Sequence, residues 1–268
     1  MKIEPNEPAT RGRIPSKWFS KHPATISLVL PMFNECPAVN FTMTRALADL
    51  ADAFTDFEIV VADDGSTDNC AREVARWTKR DPRIRLVCLP RNERFGGALR
   101  AGLNAATKEF LFYTDFDLPV DLKVLPRLLD EFTDAEVLTG YAANASKHVN
   151  WRSHLISLGY NFMVRSLFGL TLRDINFGFK AIRRSIWNQL HCRSRSPFVD
   201  AEMFIQAQQL GYRVKELPVP FSPRHLGSSR IRRLDVISWT AWDMVRLRLT
   251  PQLKATAPRR HETAGHQR

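Results

Sequence analysis

Two clusters of carboxylates in this chain each follow an apolar run that predicts a buried β-strand. Residues 63–68 (Asp-Asp-Gly-Ser-Thr-Asp) come after the run 57–62, and Asp115-Phe116-Asp117 comes after the run 109–114. In open α/β sheets, ligands bind in the crevice outside the carboxyl ends of the strands. Paired carboxylates placed there suit Mg²⁺ or Mn²⁺ carrying phosphates. The clusters therefore predict a site for a divalent metal and a nucleoside diphosphate.

Each cluster also has an ordinary structural explanation. Asp, Gly and Ser are common turn and helix-capping residues, so residues 63–68 alone fit a turn followed by a cap. Asp115 and Asp117 are two residues apart, so on an extended chain both carboxylates face the same side. A divalent cation there would relieve their mutual repulsion. With Asn34-Glu35 at the end of an earlier predicted strand, the pattern favours a binding site over chance turns.

The composition indicates one globular catalytic domain. The chain has 268 residues and 44% hydrophobic content, enough for a full core. Its four cysteines form no CxxC pair and the N-terminus carries no secretory pattern, so we expect a reducing, cytoplasmic setting. The longest apolar runs, such as residues 26–30, are far shorter than the roughly 20 residues that span a bilayer. We therefore do not expect this chain to cross a membrane by itself.

The net charge of +11 is concentrated at the two ends of the chain. Residues 224–268 hold ten Lys/Arg and three acids, and residues 1–23 hold five Lys/Arg and two acids. The nearly neutral body argues against a broad nucleic-acid footprint, so no nucleic-acid partner is expected. Basic ends suit contact with an anionic membrane surface or with phosphates. Solvated tails are the alternative.

From about residue 24, short apolar runs alternate with helical patterns. Predicted strands cover residues 25–30, 57–62, 84–89 and 109–114, and predicted helices cover residues 38–53, 68–79 and 97–106. This alternation predicts an α/β fold, Rossmann-like, with a mostly parallel central sheet and helices on both faces. We interpret residues 24–121 as a nucleotide-binding half.

Residues 122–233 are interpreted as an acceptor half. The predicted elements there are a helix at 122–132, a short run at 136–139, an amphipathic stretch at 151–168, a glycine-punctuated segment at 172–181, a helix at 200–210 and an edge strand at 212–217 closed by prolines. The remaining predictions are a flexible basic segment at 1–23, an amphipathic helix at 234–250 and a disordered basic tail at 251–268.

Several short motifs follow one another in a fixed order. In the first half they are Pro31-x-Phe33-Asn34-Glu35, Asp63-Asp64-Gly65-Ser66-x-Asp68, Asn92 with Gly96-Gly97-Ala98, and Asp115-x-Asp117. In the second half they are residues 174–180 with Arg183, Phe198-x-Asp200-x-Glu202, Gly211 with Glu216-x-Pro218, and Arg224-x-x-Gly227-x-Ser229-Arg230. This order resembles the family 2 glycosyltransferases with the GT-A fold. The branch it resembles most is that of dolichol-phosphate mannose synthase and bacterial polyprenyl-phosphate glycosyltransferases, over about residues 25–233.

The resemblance implies a role for each matching residue on the donor side. The nucleoside would be bordered by Pro31, Phe33 and Glu35, and its base or ribose would be contacted by Asp63. Asp64 is a further candidate for substrate binding. The diphosphate and its Mg²⁺ or Mn²⁺ would be held at Asp115-Phe116-Asp117, with Asp115 and Asp117 as the metal ligands. A basic loop carrying Arg224 and Arg230 would close over the phosphates, because guanidinium groups match phosphate oxygens. A solvated charge run is the ordinary alternative for that loop.

The implied reaction is an inverting transfer, an in-line displacement at the anomeric carbon of a nucleotide sugar. Metal and arginine would offset the charge that grows on the leaving nucleoside diphosphate. A hydroxyl acceptor would need a general base, whereas a lipid phosphate is already anionic at neutral pH. Asp200 and Glu202 are the candidate bases. Their alternative role is helix capping and first-turn charge.

Two positions depart from the family pattern. The polyprenyl-phosphate branch often has Gln where this chain has Pro119, and often has Arg where this chain has Ala142. Arg152 is kept and could grip an acceptor phosphate alone, or with Lys147 or His148. These departures concern the acceptor more than the donor.

We therefore expect a metal-dependent hexosyltransferase that acts on a polyprenyl-phosphate acceptor at the cytosolic membrane face. One alternative keeps the fold and transfers the sugar to a hydroxyl of a glycan, lipid or metabolite. Another is a non-catalytic module that binds nucleotide sugar or nucleic acid. The last predicted helix, rich in Trp, Val and Arg, could lie in a membrane interface or pack on the domain.

Overall fold

The computed structural model describes residues 21–143, 151–220 and 234–250, and for residues 151–156 and 234 it describes the backbone alone. Four features expected from the sequence lie outside these residues: most of the N-terminal segment, the Lys147 and His148 pair, the loop carrying Arg224 and Arg230, and the tail at 251–268.

The first half of the chain alternates strands and helices as predicted. Its elements are β1 (His22–Met32), α1 (Val39–Ala53), β2 (Phe54–Asp63), α2 (Cys70–Arg80), β3 (Ile84–Cys88), α3 (Arg94–Ala105) and β4 (Phe110–Thr114). The first strand begins at His22, two residues before the predicted start of the fold, because His22 pairs with Phe54 at the beginning of β2.

The second half follows the prediction less closely. Its elements are α4 (Leu125–Asp130), β5 (Val137–Ala142), α5 (Trp151–Phe168), β6 (Phe179–Arg183), α6 (Arg184–Trp187), α7 (Val199–Gln209), β7 (Val214–Val219) and α8 (Leu234–Leu249). The helix predicted at 122–132 is divided into α4 and two flanking 3₁₀ turns. The glycine-punctuated segment contains β6, a strand that the sequence pattern did not predict.

The seven strands form one sheet in the order β3-β2-β1-β4-β6-β5-β7. Strand β6 runs antiparallel to both of its neighbours, and the other strand pairs are parallel. The predicted edge strand β7 lies at one end of this order. The order reverses between β1 and β4, the two neighbours whose connections run to opposite sides of the sheet. Such a switch point is where open α/β sheets bind ligands.

Helices cover both faces of the sheet, as predicted. Side chains that alternate along each central strand enter two separate hydrophobic clusters, such as Leu28 in one and Val29 in the other. Helices α1, α2 and α4 pack in the first cluster, and α3, α5, α7 and α8 pack in the second. Strands buried on both faces read as continuous apolar runs, which is why β1, β2 and β4 could be recognised from the sequence.

A buried carboxylate ties the central strands together away from the carboxyl ends. Glu58 of β2 accepts hydrogen bonds from the Ser27 hydroxyl of β1 at 2.6 Å and from the Thr107 amide at 2.6 Å. The Arg85 guanidinium of β3 donates to it at 2.9 Å. Burial alone would raise the pKa of Glu58, but the hydrogen bonds from Ser27, Thr107 and Arg85 outweigh it and lower the pKa below its usual value.

Helix α8 packs on the domain by one face and leaves apolar side chains exposed on the other. Met244 is buried, and Asp243 is 1% exposed and accepts the Ser196 hydroxyl at 2.7 Å and the amides of Arg195 and Ser196 at 3.0 Å. Trp242 is 61% exposed. In the part of the chain that the structure describes, no helix has the length and apolar content needed to cross a membrane.

Candidate active site

A cavity of about 300 Å³ lies at the switch point between β1 and β4. Eight of the residues expected at the site line it: Pro31, Phe33, Glu35, Asp64, Asp115, Phe116, Asp117 and Asp200. These residues come from the ends of β1, β2 and β4 and from the first turn of α7. The sheet topology therefore brings together donor-side and acceptor-side residues that are far apart in the sequence.

The loop after β1 is held in place by the loop after β2. Asn34 adopts a left-handed conformation with φ 52°, and its side-chain oxygen accepts the Thr67 amide at 2.8 Å. The Asn34 amide in turn donates to the Ser66 hydroxyl at 2.9 Å. Because these bonds tie the two loops together, Phe33 and Glu35 on either side of Asn34 are presented to the cavity.

The two neighbouring acids after β2 have different surroundings. Asp63 is 3% exposed and accepts hydrogen bonds from the Ser66 hydroxyl and, at 3.4 Å, from the Ser66 amide. It is not among the residues that line the cavity, whereas Asp64 is. Asp64 accepts the Glu93 amide at 2.6 Å. Burial, together with the nearby charge of Asp63, raises the pKa of Asp64 to about 7.

The loop after β2 requires glycine at position 65. Gly65 has φ +69°, and a Cβ atom there would lie 2.8 Å from the carbonyl carbon of Arg91. A side chain would thus be strained by the backbone conformation and would also collide with the loop after β3. Gly65 therefore lets the loops after β2 and β3 approach each other beside the cavity.

Asp115 and Asp117 both line the cavity, but the chain that carries them is not extended. Residues 115–118 form a turn in which the Leu118 amide donates to the Asp115 carbonyl at 3.0 Å, and Leu118 is left-handed with φ 51°. The Thr42 hydroxyl of α1 fixes the turn by donating to the Phe116 carbonyl at 2.8 Å. The turn, rather than strand alternation, brings the two carboxylates to one side, so the extended-chain argument was wrong in its geometry.

The two carboxylates fit a divalent cation whose other ligands come from the substrate and from water. Asp115 and Asp117 supply hard oxygen donors, and a Cβ atom at Gly178 would lie 3.3 Å from Oδ2 of Asp115. Glycine at 178 therefore leaves space beside that carboxylate. No cluster of three or more potential protein ligands occurs within the described ranges. Mg²⁺ is often bound by one or two carboxylates together with substrate phosphates and water.

Asp200 also lines the cavity and belongs to a buried cluster of side chains. Its Oδ1 accepts the Tyr113 hydroxyl at 2.7 Å, and its Oδ2 pairs with the Lys180 ammonium. Burial raises the pKa of Asp200, while Lys180 and Tyr113 act in the opposite direction. Tyr113 and Lys180 also line the cavity, although the sequence analysis gave a role to neither.

The second candidate base, Glu202, does not line the cavity. Its carboxylate is 2% exposed and accepts the amides of Arg193 at 2.9 Å and Ser194 at 2.7 Å. Those contacts fix the loop that precedes α7. Glu202 lies in the first turn of α7 but does not cap the helix, because no side chain among the described residues caps α7; it holds the preceding loop instead.

The remaining acceptor-side expectations are described only in part. Arg152 lies in the first turn of α5, but its side chain is outside the described atoms, as are Arg224 and Arg230. Pro119 follows the turn at 115–118 and lies near Gly178, since a Cβ atom at Gly178 would be 3.4 Å from the Pro119 ring. Ala142 ends β5, next to β7.

Helix α8 forms part of the cavity wall, which the sequence did not indicate. Asp235, Val236 and Trp239 line the cavity, and the Arg94 guanidinium lies 4.6 Å from the centre of the Trp239 ring. Arg94 is left-handed, with φ 65°. The motif at residues 92–98 drew attention to this loop, but no local pattern indicates that the last helix reaches it.

Comparison with known proteins identifies the family. The α/β sheet with its switch-point cavity has a GT-A-like architecture, and residues 27–190 match the family described as Glycosyl transferase family 2. The chain belongs to this family.

Two relatives are sugar transferases by name. The chain is 30% identical to glycosyltransferase AglD of Haloferax volcanii over 74% of its own length, and spans 33% of that relative. It is 27% identical to the undecaprenyl-phosphate 4-deoxy-4-formamido-L-arabinose transferase of Edwardsiella ictaluri over 86% of its own length, and spans 70% of that relative.

Solved structures support the fold. Glucosyl-3-phosphoglycerate synthase from Mycobacterium tuberculosis, solved with Mn²⁺, UDP and glucosyl-3-phosphoglycerate, is similar with a TM-score of 0.63 and 19% identity over 84% of this chain and 80% of that one. A mannosyltransferase from Pyrobaculum calidifontis, solved with GDP-Man and Mn²⁺, has a TM-score of 0.59 and 19% identity over 84% of this chain and 65% of that one.

Proposed function

We propose that this protein transfers a sugar, with inversion, from a nucleotide-sugar donor to a polyprenyl phosphate at the cytosolic face of a membrane. The observation that carries the proposal is the switch-point cavity, which gathers Asp115 and Asp117 with the loops after β1 and β2. Membership of glycosyl transferase family 2 supports the reaction class. The names of the relatives support the lipid phosphate as acceptor.

The donor would lie across the carboxyl ends of β1, β2 and β4. Phe33 and Glu35, held by the Asn34 contacts, would border the nucleoside together with Pro31, and Asp64 would reach its base or ribose. Asp63 would act through the Ser66 contact that shapes this loop. Arg224 and Arg230 are proposed as phosphate contacts from the sequence motif.

Asp115 and Asp117 would hold Mg²⁺ or Mn²⁺ beside the donor diphosphate. The ion would supply positive charge that stabilises the leaving nucleoside diphosphate. The turn at 115–118 would orient the two carboxylates toward the ion. Glycine at 178 would leave room for the Asp115 carboxylate to do so. Solved structures of the same fold with Mn²⁺ and a nucleotide support the choice of cation.

In the transfer, an oxygen of the acceptor phosphate would form a bond to the anomeric carbon as the bond from that carbon to the diphosphate breaks. The nucleoside diphosphate leaves with the electron pair of the broken bond. The acceptor is already anionic, so this step does not require a base to remove a proton. Arg152 is proposed as a contact to the acceptor phosphate from its place in the sequence pattern.

Two exposed apolar helix faces would bring the site to a lipid surface. Helix α5 exposes Leu158, Phe162, Met163 and Leu167, and α8 exposes Ile237, Trp242, Val245 and Leu249. Both helices pack in the same hydrophobic cluster, on one face of the sheet. Arg165 and Arg248 are exposed on the same two helices. Apolar side chains with nearby arginines suit the interface of an anionic membrane.

The second candidate function is transfer to a hydroxyl acceptor. Asp200 favours it, because this carboxylate lines the cavity and burial raises its pKa, as a general base requires. In that case Asp200→Asn would abolish transfer.

The experiment is a transfer assay with purified protein, Mg²⁺ or Mn²⁺, polyprenyl phosphate in detergent and a panel of labelled UDP-, GDP- and dTDP-sugars. We expect label in the organic phase from one donor, and a loss of at least a hundredfold in Asp117→Ala. Asp134→Ala, an exposed acid outside the cavity, is the matched control and should keep its activity. The absence of label from every donor would reject the lipid-phosphate acceptor, and the additional absence of nucleotide binding would reject the glycosyltransferase function.

A further inference from the structure

Three buried side chains from three different elements meet at the cavity wall. Lys180 of β6 is 1% exposed, Asp200 of α7 is 3% exposed and Tyr113 of β4 is 3% exposed. We refer to these three residues as the Lys180 cluster. Tyr113 and Lys180 are cross-strand partners in the antiparallel pair β4 and β6. All three line the cavity, so the cluster faces the space in which substrate would lie.

The Lys180 ammonium is held in place from two sides. It donates to the Asp200 carboxylate and to the Phe177 carbonyl, the latter at 2.5 Å, and lies 5.6 Å from the centre of the Tyr113 ring. An ammonium has three N–H donors, and these two partners take two of them. A buried cation without a counter-charge would be costly, and the Asp200 carboxylate lies directly against the Lys180 ammonium.

The contacts of Asp200 suit a positioning role better than proton transfer. Each of its oxygens already accepts a hydrogen bond, one from the Tyr113 hydroxyl at 2.7 Å and one from Lys180. If Asp200 took up a proton as a general base, the buried Lys180 ammonium would lose its counter-charge, which is costly. The same contacts fix the direction in which Lys180 points.

The cluster lies beside the turn that carries Asp115 and Asp117, because Tyr113 precedes Asp115 by two residues and its partner Lys180 follows Gly178, which borders the Asp115 carboxylate. Lys180 and Asp200 belong to β6 and α7, in the half of the chain after residue 121. The donor-side residues come from the loops after β1 and β2 and from the turn after β4. A cation beside the Asp115 turn, carried by elements of the acceptor half, suits the anionic oxygen that attacks the sugar.

We propose that Lys180 is the cationic contact for the anionic oxygens of the acceptor, and that Asp200 and Tyr113 are positioning residues that hold its ammonium at the cavity wall. The proposal rests on the proposed function, because it assigns the acceptor side of the same site. It adds a substrate contact on a residue to which neither the family match nor the sequence motifs gave a role.

The test compares steady-state kinetics of wild type, Lys180→Met/Asp200→Asn and Asp200→Asn. The double variant removes both members of the buried ion pair, so no uncompensated charge is left inside the protein. Lys215→Met/Glu131→Gln removes an ion pair on β7 outside the cavity and is the matched control. Thermal unfolding of each variant checks that it is folded. The acceptor is undecaprenyl phosphate in detergent, with the donor found in the transfer assay.

For the double variant we expect the KM for undecaprenyl phosphate to rise at least tenfold, with the donor KM within twofold of wild type. Asp200→Asn should also raise the acceptor KM, because Lys180 loses the carboxylate that holds it, and its effect on acceptor KM should exceed its effect on kcat, because no proton is transferred to Asp200. An unchanged acceptor KM in the double variant would overturn the proposal, and so would a rise in donor KM alone. A hundredfold or larger fall in kcat for Asp200→Asn at unchanged acceptor KM would identify Asp200 as the base instead.

The transfer assay with wild type alone shows whether the proposed function fails. If wild type transfers no sugar to undecaprenyl phosphate, calorimetric binding of the short lipid phosphate citronellyl phosphate still tests the inference. Binding to wild type that weakens at least tenfold in the double variant supports an anion contact at Lys180. Equal binding by both proteins, or no binding by wild type, overturns it.

Discussion

At the scale of single residues, the site depends on positions where a side chain would be in the way. Gly178 lies against the Asp115 carboxylate and Gly65 against the backbone of the loop after β3. Left-handed residues occur at the same place, since Asn34, Arg94 and Leu118 have positive φ and lie in the loops beside the cavity. Unfavourable conformations of this kind persist where the surrounding structure enforces them, and they are frequent at functional sites.

Gly178→Ala should reduce transfer while changing the stability of the fold only slightly. The added methyl group would lie 3.3 Å from Oδ2 of Asp115 and 3.4 Å from Pro119, so the carboxylate must move by a few tenths of an ångström. We expect at least a tenfold loss of metal-dependent transfer and an increased metal concentration for half-maximal activity, measured by titration with Mn²⁺. Gly159→Ala is the matched control, because a Cβ atom there meets nothing within 4 Å. Equal activity of the two variants would contradict the assignment of Asp115 as a metal ligand.

At the scale of secondary-structure elements, the sequence was informative wherever a pattern is local. Strands β1, β2 and β4 are continuous apolar runs, and the bounds of α5 and α8 were predicted to the residue or within one residue. Strand β6 was missed because it has five residues, directly follows Gly178 and is defined by pairing with β4 and β5. Such long-range pairing is not encoded in the local pattern.

The same distinction applies to the candidate site. Residues 31–35, 63–68 and 115–117 could be recognised because they follow strands in a family order. Lys180, Tyr113 and Trp239 could not, since their place at the cavity results from the packing of β6, β4 and α8. The roles of Asp200 and Glu202 were left open by the sequence, and only their contacts distinguish them.

The Glu58 network makes an element-scale prediction about pH. Its folded-state pKa is lowered, so its contribution to stability is present above the unfolded-state value of 4.5 and is lost as pH falls through the folded-state pKa. Glu58→Gln should therefore destabilise the protein by about 2 kcal/mol at pH 7 and by less at pH 3. Urea unfolding at the two pH values measures this, with the exposed Glu109→Gln as control. A loss that is equal at both pH values would contradict the assigned charge of Glu58.

At the scale of the whole molecule, the cavity and the exposed apolar faces share α8. One face of this helix lines the cavity through Val236 and Trp239, and Asp243 anchors it to the loop before α7. Its other face exposes Trp242 and Leu249. A lipid surface bound at α5 and α8 would thus contact the same helix that lines the cavity.

Binding to vesicles tests this arrangement. We expect wild type to float with vesicles that contain phosphatidylglycerol. Phe162→Ser should weaken that binding about tenfold, because burying a phenylalanine side chain contributes about 1.5–3 kcal/mol. Phe41→Ser is the matched control, since Phe41 is 45% exposed on α1, which packs on the other face of the sheet. Equal weakening by the two substitutions, or by neither, would contradict a membrane contact at α5.

Transfer of the sugar to a lipid phosphate creates a bond between the sugar and that phosphate, so the linkage in the product is the measurement to make. Phosphorus NMR and mass spectrometry of the organic-phase product, made with Mn²⁺ and undecaprenyl phosphate, distinguish a sugar-linked phosphodiester from a free phosphomonoester. For a lipid-phosphate acceptor we expect one sugar added to the lipid and a single phosphodiester phosphorus. A product in which the phosphomonoester is unchanged and the sugar is bound to a hydroxyl would contradict it.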